Sequence, residues 1–130
     1  ATVRKIRTDD TRVQNLQSIQ YQIIDYRQRK GSLPEKLSDL NDSLSSFTIP
    51  VDPDTHADYT YKTKGHLSFT LCANFSLETP KGAQANTSHQ YDARGVSDNS
   101  WKHTSGTFCF DRTIDPELYP VNKDTRLMGL

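Results

Sequence analysis

The stretch that decides the fold is residues 9–61, DDTRVQNLQSIQYQIIDYRQRKGSLPEKLSDLNDSLSSFTIPVDPDTHADYTY. Its first third is helical in period. Ile6, just upstream, and then Val13, Leu16, Ile19 and Ile23 step by seven, three, three and four residues, which keeps them near one face. Arg12, Gln14, Asn15, Gln22, Asp25 and Arg29 fill much of the remaining surface, and Gln20 and Arg27 interrupt the heptad positions, against a long coiled coil. The helix is expected over residues 2–30. Arg27, Arg29 and Lys30 suit the negative end of its dipole, and Gly31 suits the left-handed C-terminal cap. Ser32-Leu33-Pro34-Glu35 has the form of a capping box with Pro in the first turn, so a second, short helix is expected over 34–40.

Downstream the period changes. Phe47 and Ile49 are expected to anchor a connection into the core, and Asp52-Pro53-Asp54-Thr55 is a turn. Tyr59 and Tyr61 alternate with Thr60 and Lys62. After Lys64-Gly65, Leu67, Phe69 and Leu71 alternate with Ser68, Thr70 and Cys72. This is a β-hairpin with one buried face. Residues 78–105 are rich in Ser, Thr, Asn, Gln and Gly and read as a long loop, of the kind that is usually functional or mobile. A strand resumes over 106–111, with Phe108 and Phe110 on one face and Cys109 on the other, and Cys72 has the same phase relative to Phe69 and Leu71. A disulfide across the sheet and two buried thiols both remain open. The small, polar domain gains most from a staple, which favours the disulfide Cys72–Cys109.

The composition fits one modest core. Of 130 residues, 33% are hydrophobic, with a mean hydropathy of −0.77, so polar surface and loops must fill the rest. Residues 1–114 are expected to be a single domain, and residues 115–130, which contain Pro116 and Pro120, an irregular, partly disordered tail. Sixteen Lys/Arg balance sixteen Asp/Glu. With no basic-aromatic stripe, nucleic acid is not an expected partner. Charge is nevertheless unevenly placed. Residues 1–30 hold seven Lys/Arg and three Asp, whereas residues 31–60 hold one Lys and six acids, a pattern able to steer head-to-tail contacts between copies. Helix-compatible residues start at Ala1 without an N-cap, and Arg4, Lys5 and Arg7 suit a lipid headgroup boundary. The helix is therefore expected to continue upstream into a membrane segment.

No catalytic residues are assigned, because no Gly-x-Ser-x-Gly elbow, Gly-rich phosphate loop or paired His spacing occurs. His56, His66, His89 and His103 fall in polar turns or loops. No metal and no cofactor are expected. Asp52, Asp54 and Asp58 are the densest carboxylates, but Ala57 and Thr63 stand where a calcium-binding EF-hand needs Gly and Glu. Asp92, Asp98 and Asn99 are a second cation candidate, without diagnostic spacing. Trp101 and His103, at the end of the long loop, are possible contact residues. Trp is enriched where interfaces bury an anchor, and the competing reading is that Trp101 packs into the domain's own core.

The order of elements resembles the soluble part of pilins and pseudopilins of type IV pili and type II secretion. The residues that carry this are Leu16, Ile19, Tyr26, Gly31-x-Leu33-Pro34, Pro53 and Tyr59-x-Tyr61. A second resemblance, to the extracytoplasmic domains of uncharacterised membrane-anchored bacterial proteins, runs through Leu71-Cys72-Ala73, Trp101-x-His103 and Gly106-x-x-Cys109-Phe110. Together they imply an α+β fold with a long N-terminal helix packed on a small antiparallel sheet. They also imply an extracytoplasmic location, anchorage through an upstream membrane segment, and a structural or interaction role. The partners implied are envelope proteins or further copies of the chain. The alternative expectation is a ligand- or metal-binding sensor domain using loop 78–105.

Overall fold

The computed structural model describes residues 2–41, 47–80 and 100–121. Helix α1 spans Thr2–Lys30, strand β1 Thr60–Thr63, β2 Ser68–Phe75 and β3 Gly106–Thr113. The strands form one antiparallel sheet in the order β1-β2-β3, and α1 lies across it. This is the expected α+β arrangement. Val13, Leu16, Ile19, Ile23 and Ile24 of α1 are buried against Phe69, Leu71, Ala73 and Phe75 of β2 and Phe110 of β3. Period 3.6 on the helix and period 2 on the strands meet in one core.

Gly31 ends α1 as expected. Its φ is +85°, open to glycine at little cost, and its N–H donates to the Arg27 carbonyl at 2.8 Å. The expected helix over 34–40 is corrected to a 3₁₀ turn, Leu37–Leu40. Leu33 and Pro34 run into the core instead, and the Tyr61 hydroxyl donates to the Pro34 carbonyl at 2.7 Å, which ties this stretch to β1. Asp39, rather than Ser32, caps this turn: its Oδ2 accepts from the backbone N–H groups of Glu35 and Lys36.

The hairpin closes at Lys64-Gly65 as expected, with the Lys64 N–H donating to the Ser68 carbonyl. Phe47 and Ile49 pack on the core. So does Tyr119, whose carbonyl accepts from Arg27 Nη1 at 2.8 Å, so the start of the tail docks on the end of α1. Residues 122–130 lie outside the described part.

Candidate functional site

The outer face of the sheet carries a row of cross-strand pairs. In the β2–β3 register, Ser68 faces Thr113, Thr70 faces Asp111 and Cys72 faces Cys109. The first two pairs are hydrogen-bonded at 3.0 and 2.7 Å. The third is a disulfide, with Cα atoms 4.0 Å apart. The shared phase of the two cysteines thus reflects direct opposition. Thr70, and then Lys64, hold the Asp111 carboxyl below its usual range by hydrogen bonding to its charged form.

Under the other end of the sheet lies a buried ionic clamp that the sequence pattern did not reveal. Arg12, expected on the polar surface, is 3% exposed. Its Nε and Nη2 donate to the two carboxylate oxygens of Asp52 at 2.6 and 3.1 Å, and its Nη1 donates to Asp9 Oδ1 at 2.7 Å and Ser76 Oγ at 3.1 Å. Asp9 also accepts from the N–H groups of Ser76 and Leu77, and Asp52 from those of Asp54 and Thr55. One guanidinium therefore ties α1 to the 52–57 turn and to the end of β2. Burial alone would raise the Asp52 pKa. The Arg12 hydrogen bond and the two N–H donors outweigh it and hold the value at about 2. Burial likewise opposes the charge on Arg12, and its hydrogen bonds to Asp52 and Asp9 win, raising its pKa.

The clamp decides how the Asp52, Asp54 and Asp58 group is used. Asp52 is turned inward to Arg12, while Asp54 and Asp58 are exposed. No group of three or more His, Cys, Asp or Glu is placed to hold a metal ion among the described residues. Asp92, Asp98, Asn99 and His89 lie outside the described part, so the sensor reading built on loop 78–105 has only its two ends on view.

Those ends are tied together. The Thr79 N–H donates to the His103 carbonyl, and the His103 N–H donates to Thr79 Oγ1, at 2.9 and 2.8 Å. The His103 ring, expected in a polar loop, is buried and stacks on Phe75 at 3.7 Å and 11°. Trp101 is 1% exposed and packs against Phe110 at 4.9 Å, with the Arg112 guanidinium 4.5 Å from its ring centre. Its indole is a core side chain in this chain. Arg112 is itself buried, donating to Gln20 Oε1 at 2.9 Å and to the Ser100 carbonyl at 2.6 Å. Arg112 shares the phase of Phe108 and Phe110 in β3, so strict alternation would have placed it inward. Arg12 offered only its i,i+3 spacing from Asp9.

Two surface depressions, of about 420 and 340 Å³, flank Tyr59. Leu37, Ile49 and Tyr61 line the larger, and Thr60, Cys72 and Thr107 the smaller. No protein-family model matches the chain, and no curated protein or solved structure is significantly similar to it.

Proposed function

We propose that the chain is a non-catalytic, pilin-like extracytoplasmic domain of a membrane-anchored protein, with a structural or protein-interaction role. The observation that carries this reading is the Cys72–Cys109 disulfide, which joins β2 and β3 with Cys72 buried and Cys109 exposed. Structural disulfides persist in oxidising compartments and are rare in the cytosol. The helix supports the rest of the reading. Arg4, Lys5 and Arg7 are exposed in its first turns, where basic side chains suit an anionic headgroup layer. No helix among the described residues is long and apolar enough to cross a membrane, so the proposed anchor is a segment outside this sequence.

The test is the position of the full gene product in cells. Membrane-impermeant amine labelling of intact cells, or of cells with a permeabilised outer membrane, should modify this domain, and the protein should fractionate with membranes. Labelling only after cell lysis, with the protein in the soluble fraction, would contradict the reading.

A further inference from the structure

The two cysteines of the disulfide are not equivalent. Cys72 belongs to β2, the middle strand of the described sheet, and is 7% exposed, whereas Cys109 belongs to β3 and is exposed. The neighbours of Cys72 account for the difference. In the β1–β2 register Thr60 stands opposite it, on the side away from Cys109. Asp52, Thr55 and Asp58 of the adjoining turn line one depression with it.

The charges differ as well. Asp52 is engaged by Arg12, but Asp58 is an exposed carboxylate in the depression that Cys72 lines. It repels an incoming anion. On the other side, Asp111 follows Cys109 by two residues on the same strand face, and Lys64 Nζ lies 3.3 Å from its carboxylate. Thiol–disulfide exchange proceeds through attack by a thiolate, and access and local charge decide which sulfur is attacked.

We propose that Cys109 is a reversible thiolation site, and that Cys72 is the buried thiol that reverses the modification. The ligand class is a thiol. Its thiolate attacks Cys109 Sγ and forms a new S–S bond there. The Cys72–Cys109 bond breaks, and its electron pair leaves on Cys72 Sγ, which takes a proton from water. In the reverse step Cys72 gives up that proton, attacks Cys109 Sγ and expels the thiolate. The register of β2 and β3 holds Cys72 directly opposite Cys109, and the hydrogen bond between Thr70 and Asp111 flanks the pair. Reclosure is therefore intramolecular and outpaces a second attack from solution. The reduced, folded chain is oxidised along the same route, with the mixed disulfide at Cys109. This goes beyond the compartment and interaction reading above and does not depend on it.

Two measurements on the purified chain test the assignment. In the first, Cys72→Ser leaves Cys109 as a single thiol and Cys109→Ser leaves Cys72, and each is mixed with glutathione disulfide and followed by mass. Cys109 should react at least about tenfold faster in the folded chain, because Cys72 must wait for local opening, and the two rates should converge in urea. Equal rates in chains that keep native circular dichroism, or a faster Cys72, overturn the proposal. The second measurement keeps both cysteines, so it stands even where a single-cysteine variant fails to fold. The intact disulfide is opened by excess glutathione at low ionic strength. Lys64→Glu adds negative charge on the Cys109 side and should slow the opening about threefold, while Asp58→Lys, on the Cys72 side, should leave it unchanged. A rate that follows the charge at position 58, or the charge at neither position, overturns the proposal. Either failure leaves the extracytoplasmic reading to its own labelling test.

Discussion

Arg12→Met keeps most of the volume of the Arg12 stem and removes the guanidinium. Four hydrogen bonds go with it: two to Asp52, one to Asp9 and one to Ser76. Two buried carboxylates then lose their cation. Removing one partner of a buried ion pair costs about 3–5 kcal/mol. The lower part of that range is expected, because Asp9 and Asp52 each keep two backbone N–H donors. At about 4 °C per kcal/mol for a chain of this size, a loss of about 3–4 kcal/mol lowers Tm by about 12–16 °C. The effect has a pH signature. The folded-state pKa of Asp52, about 2, lies below its ordinary 3.8, so its contribution to stability is fully present above the ordinary value and is lost as pH falls through the folded one. In the variant Asp52 loses the Arg12 hydrogen bond that holds its pKa down, so it takes up its proton at higher pH, which relieves its burial. The gap between wild type and variant should therefore be widest near neutrality and narrow steadily into acid. Urea denaturation of both proteins at a series of pH values measures it. A variant within about 0.5 kcal/mol of wild type at neutral pH, the range of ordinary surface changes, would refute the clamp, as would a gap that does not change with pH.

Replacing both cysteines, Cys72→Ser with Cys109→Ser, should lower stability by up to about 4 kcal/mol, the entropy of closing a loop of this length, while leaving the far-UV circular dichroism unchanged. Chemical denaturation of the oxidised wild type and the double variant checks both parts. Trp101→Ala should cost about 3–5 kcal/mol through the cavity it leaves beside Phe110 and Arg112, and Trp101→Phe distinctly less. Equal, small effects from both would mean that the indole is not a core side chain. Gly31→Ala should destabilise by about 1 kcal/mol or more, because its φ of +85° strains any residue with a Cβ. Thermal melts of the single variant suffice to test it.

What the sequence shows of this fold is its periodic part. The spacing of Val13, Leu16, Ile19 and Ile23, the stop at Gly31, the hairpin around Lys64-Gly65 and the shared phase of the cysteines are all local patterns, and local patterns survive folding unchanged. The hidden part is polar and tertiary. Arg12 is buried only because Asp52 arrives 40 residues later to receive it, and a rule that sends charged residues outward cannot foresee that meeting. Gln20, which interrupts the heptad positions of α1, is buried where Arg112 donates to it from β3, 92 residues away. At the expected capping box the deciding contacts are likewise tertiary: Leu33 and Pro34 are buried, and the Tyr61 hydroxyl, 27 residues on, donates to the Pro34 carbonyl.

The central claim is that this is a disulfide-stapled domain working in an oxidising compartment, and the redox state of Cys72 and Cys109 inside the cell tests it most directly. Cells making the full gene product are quenched in acid, alkylated without reduction, and digested for mass spectrometry. The account predicts a Cys72–Cys109 cross-linked peptide pair and little alkylation at either residue. Full alkylation of both cysteines would contradict it.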